Sequence, residues 1–139
     1  MQASLTVFLQ ASAAAQFGVA VINFFLVKQM DWGDDLKRMS LLPREVFMVH
    51  LWFISITLLI FGVLTWRFAE PMAAGTNPVA AWLVGSIAIF WGVRTVLQVT
   101  YYSSQHWRGK PAQTVAHVVL LVVCGGMTAT YACAAYQAI

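Results

Sequence analysis

Four stretches of this chain, residues 4–27, 46–66, 79–102 and 113–136, are long, apolar and nearly free of charge; Arg94 is the only Asp, Glu, Lys or Arg in any of them. A helix rises about 1.5 Å per residue, so runs of roughly 20 residues match a hydrocarbon core of roughly 30 Å. Hydrophobic residues make up 60% of the chain and charged residues 9%, a balance that excludes an ordinary soluble domain. A membrane β-barrel is excluded too, because residues 53–64 and 118–123 are apolar on every side instead of alternating. The pattern predicts an all-α integral membrane protein with four transmembrane helices, and 139 residues predict a single domain over 1–139. Short connections favour an up-down antiparallel bundle.

The cations set the expected orientation. Lys28, Lys37, Arg38 and Arg44 fall between the first two spans, and Arg108 and Lys110 follow the third. Arg67 alone marks the second connection, and no cation precedes the first span. The positive-inside rule then puts both termini on the outer side of a bacterial inner membrane. Cations spread over loops make no phosphate-binding stripe, so the net charge of +3 does not point to nucleic acid. The first span lacks a basic leader, which argues against a cleaved signal peptide.

Between the first two spans, Leu36, Met39 and Leu42 recur at helical spacing beside Trp32, predicting a short interfacial helix over 34–42 capped by Asp34. Pro43 suits the first turn of the second helix. Glu70, Pro71, Gly75, Asn77 and Pro78 signal a break, as do Gly109 and Pro111. Gly125, Ala129 and Cys133, with Gly126, Thr130 and Ala134 beside them, offer small faces for close helix approach, as do Ala11 and Ala15 or Ala14 and Gly18 on the first helix. The first and fourth helices are therefore expected to adjoin. Cys124 and Cys133 lie about 13.5 Å apart along one helix and cannot bridge each other.

Polar groups at membrane depth are expensive and face a cavity, a partner or the bundle interior. Arg94, Gln98 and Tyr101 form one stripe on the third helix, extended inward by Phe90 and Trp91. Gln113, His117, Cys124 and Thr128, with Tyr131 close by, share a face of the fourth. His50 aligns with Thr57 on the second, and Asn23 with Gln16 on the first. With the orientation above, Asn23, His50, Gln98 and His117 reach similar depth near the cytoplasmic ends, which predicts one polar layer.

Two occupants of that layer suit these residue types. His50 and His117, on diagonal helices of a bundle, would ligate the iron of a haem b from opposite sides, with Arg94 or Arg108 near the propionates. Alternatively a quinone or other lipid-soluble substrate would take hydrogen bonds from Tyr101, Gln98 and the histidines, with Arg94 offsetting negative charge. Glu45 is rotated about 140° from His50 and adds nothing to a metal site. His106, Trp107, Arg108 and Lys110 belong to the loop and the headgroup zone.

Val46-Phe47-Met48-Val49-His50, with Phe90-Trp91-Gly92-Val93-Arg94, Gln98 and Tyr101-Tyr102, resembles a pattern in small four-helix bacterial membrane proteins, a resemblance that implies no activity. In length and topology the chain is also similar to the membrane-associated eicosanoid and glutathione transferase superfamily. Only His50-Leu51 matches that superfamily's second helix, so glutathione chemistry is not implied here. The expected function is a small membrane subunit that holds a hydrophobic ligand or redox cofactor near the cytoplasmic face, surrounded by membrane lipid and by other membrane subunits or copies of itself. Whether it catalyses a reaction is left open by the residues.

Overall fold

A computed structural model describes residues 1–101 and 111–138, and for Gln113 the backbone alone. Six helices follow in order: α1 (Gln2–Phe24), α2 (Leu26–Gln29), α3 (Gly33–Arg38), α4 (Leu41–Ala74), α5 (Pro78–Thr100) and α6 (Pro111–Gln137). No strand occurs among the described residues. Four of the helices, Gln2–Phe24, Leu41–Ala74, Pro78–Thr100 and Thr114–Gln137 within α6, are long and apolar enough to cross a membrane. The expectations for His106, Trp107, Arg108 and Lys110 lie outside the described residues.

The chain divides into two compact units, one formed by Met1–Gln10 with Phe68–Ile139 and the other by Ala11–Arg67. In the first, α5 packs along α6. The buried residues of α5 are Ala80, Val84, Ile87, Trp91 and Gln98, and half-buried Arg94 fills the gap between the last two. Their steps alternate between four and three, the 3.5-residue repeat of a knobs-into-holes seam. On α6 the same repeat runs through half-buried His117 and buried Cys124, Met127, Tyr131 and Ala134. Without water to exclude, such seams are held by dispersion contacts and interhelical hydrogen bonds.

The turn joining α4 to α5 follows from its sequence. Gly75 has φ +67, and its N–H donates to the Pro71 carbonyl at 3.2 Å. A Cβ there would sit 2.7 Å from the Gln137 carbonyl oxygen, so glycine is required twice over. Asn77 caps α5 by accepting from the N–H groups of Val79 at 2.9 Å and Ala80 at 3.4 Å, with Pro78 at the first helical position. The break is thus confined to Gly75, Thr76 and Asn77, while Glu70 and Pro71 lie inside α4. The cost of Pro71 is a bend one turn earlier, at Phe68 (φ −114, ψ 20), because proline supplies no N–H to the carbonyl four residues back and crowds it.

In the second unit α4 begins at Leu41, earlier than position 46 as the hydrophobic pattern suggests, with Pro43 in its opening turn. Gly62 of α4 lies against the Phe17 ring, which a Cβ would approach to 2.6 Å. Helix α3 covers Gly33–Arg38 and stops before Met39, whose extended backbone (φ −73, ψ 148) leads to α4, so Leu42 belongs to α4. Asp34 sits in the first turn and bonds Lys37 Nζ at 2.9 Å, while Trp32 occupies the cap position. Before it, Asp31 adopts φ +53, with Trp32 N–H bonded to Val27 O and Asp31 N–H to Lys28 O, a Schellman ending for α2.

The small residues singled out by spacing divide between buried positions, such as Ala134, and exposed ones. On α1 the buried set is Leu5, Leu9, Ser12, Ala13, Gln16 and Ala20, whereas Ala11, Ala14 and Gly18 are exposed. On α6, Gly126, Ala129 and Cys133 are exposed, and added Cβ atoms on Gly125 and Gly126 would meet nothing within 4 Å.

Candidate functional site

The polar end of the α5–α6 pair carries the one arrangement of predicted site residues that the described contacts join directly. Arg94 lies six residues before the end of α5, and Gln98 follows one turn later. The Arg94 Nη1 group donates to Gln98 Oε1 at 2.6 Å. Gln98 is 4% exposed, and its amide Nε2 stands 2.7 Å from His117 Nδ1 on α6. Two helices are thereby linked by a line that begins in a cation and ends in an imidazole.

That line has only one consistent polarity. A guanidinium can donate and cannot accept, so Gln98 must turn its oxygen to Arg94. Its NH₂ group is then left for His117, and Nδ1 must accept. A neutral His117 accordingly carries its proton on Nε2 and presents an N–H donor at the far edge of the ring. Histidines that bind iron or zinc through Nε2 do the reverse, donating from Nδ1 and offering the Nε2 lone pair.

One turn deeper the seam stays polar at its flank. Thr95 Oγ1 and Thr128 Oγ1 meet at 3.1 Å across the helix pair. Each also lies 2.8 Å from the carbonyl four residues back, Trp91 O and Cys124 O respectively. Two hydroxyl protons cannot serve all three contacts at once, so one hydroxyl must give up its carbonyl to donate across. Trp91 is 2% exposed and packs edge-on to Phe90, with ring centroids 5.5 Å apart. Its indole N–H has no hydrogen-bond partner among the described residues.

The other predicted site residues are placed as follows. Tyr101, at the C-cap of α5, is 80% exposed. Asn23 is half-buried in α1 and His50 is exposed in α4, both within the unit formed by Ala11–Arg67. His50 Nδ1 lies 2.8 Å from Val46 O. A carbonyl only accepts, so Nδ1 carries the proton and the Nε2 lone pair is available, the opposite state to His117. No group of three or more His, Cys, Asp or Glu side chains able to hold a metal ion occurs among the described residues.

Thr95 has no mark in the sequence that sets it apart. Its partner Thr128 is legible as part of the His117 face, but a threonine inside a membrane helix satisfies itself on its own backbone and gives no sign of reaching across. The electrostatic setting is lopsided. All five acidic residues, Asp31, Asp34, Asp35, Glu45 and Glu70, precede α5, so α5 and α6 carry Arg94 with no Asp or Glu on either helix. A seam that offers an N–H edge, a guanidinium and a buried indole N–H is a donor-rich environment in an apolar surround. No protein-family model, curated protein or solved structure matches this chain.

Proposed function

We propose that this protein is a small multi-pass subunit of a bacterial inner membrane that holds a lipid-soluble carbonyl compound of the quinone class at the polar end of the α5–α6 seam. The observation that carries the reading is the fixed Arg94–Gln98–His117 line. Its polarity puts the proton of a neutral imidazole on Nε2, an N–H of the kind a quinone oxygen accepts from, and links that ring through Gln98 to a positive charge that would offset electron density on such an oxygen. Apolar residues of the same seam, including Trp91 and Ile87, supply the surroundings in which such bonds are strong. In this reading the helices run up and down as an antiparallel bundle with both termini outside, and the site lies near the cytoplasmic face. The exposed Gly126, Ala129 and Cys133 of α6 are the face on which a larger membrane complex, or a second copy, would pack.

The test is extraction of the detergent-purified protein with organic solvent and mass spectrometry of the extract, for wild type and for His117→Ala. Stoichiometric quinone in the first and a loss of about tenfold in the second, corresponding to about 1.4 kcal/mol, is the expected result. Equal quinone in both, or only the trace found in a control membrane protein, would reject the reading.

A further inference from the structure

A cavity lies in the unit formed by Ala11–Arg67, between the α3 region and the first three turns of α4. It is an open groove of about 600 Å³, within the ordinary range of ligand pockets. Its lining is graded. Lys37, Arg44 and Glu45 form one end, and Leu36, Met48 and Trp52 line the rest. Arg44, Met48 and Trp52 follow one another at four-residue steps on α4, so charge gives way to apolar surface over about 12 Å of helix. That gradient is the shape of an amphiphile with a charged head.

The groove is held in place. Trp32 packs edge-on against Phe47 of α4, with centroids 6.2 Å apart and planes at 64°. The left-handed Asp31 just before it turns the chain back over α4. Leu36 and Met48 both line the groove that results.

The charges at that end are specific. Lys37 is paired with Asp34 at 2.9 Å, so its charge arrives with an opposite one beside it. Arg44 is half-buried and Glu45 exposed, and neither side chain forms an ion pair among the described residues. Adjacent positions on a helix point about 100° apart, so the two cannot readily neutralise each other. The groove is therefore lined by a guanidinium and a carboxylate from neighbouring positions that do not pair with each other.

We propose that this groove binds a phospholipid whose phosphate is linked to a primary ammonium, the phosphate on Arg44, the ammonium on Glu45, and an acyl chain along Leu36, Met48 and Trp52. The planar guanidinium is suited to two phosphate oxygens at once. The carboxylate accepts from an N–H of the ammonium, which a trimethylated headgroup lacks and which a phosphoglycerol headgroup replaces with neutral hydroxyls. A purely anionic lipid would gain Arg44 and be repelled by Glu45. The site is independent of the Arg94–Gln98–His117 line, so the two stand or fall separately.

The experiment is native mass spectrometry of the delipidated, detergent-solubilised protein titrated with phosphatidylethanolamine, phosphatidylglycerol and phosphatidylcholine of matched acyl chains. The first should bind about threefold to fivefold more tightly than either other, the range of one rim-exposed charged contact. Glu45→Gln should erase the advantage over phosphatidylcholine, and Arg44→Gln should weaken all three. Preference for phosphatidylglycerol, indifference to headgroup in the wild type, or selectivity unchanged in Glu45→Gln would each overturn the proposal. The wild-type headgroup series and the exposed Glu45→Gln decide it even if Arg44→Gln fails to fold.

Discussion

The two ends of the α5–α6 pair obey the same spacing with opposite chemistry. At one end Ala80, Val84 and Ile87 share the seam with Met127 and Ala134, groups that need nothing from each other except a fit. At the other, Arg94, Gln98 and His117 occupy equivalent seam positions and must be matched bond for bond. An apolar seam would hold two helices together in lipid at no electrostatic cost, whereas polar groups at depth are expensive unless satisfied. The contrast teaches that packing can explain the first end and cannot explain the choice of residues at the second.

Four experiments break or sharpen that contrast. The largest effect belongs to the apolar end: Ile87→Asp puts a carboxylate where no donor is arranged, and should cost about 2.5–3.5 kcal/mol. Thermal unfolding of the detergent-solubilised protein would show it, and an unchanged midpoint would mean the seam is not closed there. At the polar end His117→Ala, which strips a partner from buried Gln98, should cost less stability, about 0.6–1.7 kcal/mol, while quinone retention falls about tenfold. A comparable loss of fold in both variants would erase the distinction between the ends.

Smaller effects resolve the polar end itself. A double-mutant cycle on Gln98→Ala and His117→Ala should give a coupling near 0.6 kcal/mol and at most about 1.7 kcal/mol, the range of interhelical hydrogen bonds in membranes. Zero coupling in unfolding measurements would dissolve the link between the helices. The smallest change is expected from Thr95→Val with Thr128→Val, below about 0.6 kcal/mol, because both carbonyls keep their helical N–H partners and the methyl groups fill the same space. A large loss would show that the hydroxyl pair, and not the Gln98–His117 bond, joins the helices.

Much of the fold can be read from the chain by length alone. A run of apolar residues long enough to span lipid must be helical, and the four spans follow from that requirement. The buried face cannot be read in the same way. Val84 is fully buried and Val79 is 75% exposed, yet they are the same residue on the same helix. Lipid accepts valine as readily as a neighbouring helix does, so the periodicity that marks the inside of a soluble protein disappears. Small residues leave a related choice open: Gly126 and Ala129 permit close approach of a helix from this chain or from another subunit without requiring either.

The site divides along a similar line. Arg94 is conspicuous as the one Asp, Glu, Lys or Arg within the predicted spans, and Gln98 one turn later is where an acceptor should stand. Local spacing does not reveal that Gln98 reaches His117, a partner 19 positions away on another helix. The bend at Phe68 was hidden for a different reason. Pro71 reads equally well as a loop residue or as a kink, and the helix continues beyond it only because Gly75 supplies the ending.

The Arg94–Gln98–His117 line also bears on proton traffic. A conduit that hands protons along must be able to reverse every donor and acceptor after each passage, as a row of waters or hydroxyls does. A guanidinium at the head and a carboxamide in the middle cannot exchange roles, so this row acts as a ratchet for orientation and a dead end for conduction. Any hydrogen ion gained or lost by a molecule resting on His117 must therefore travel by some route that does not pass through Gln98.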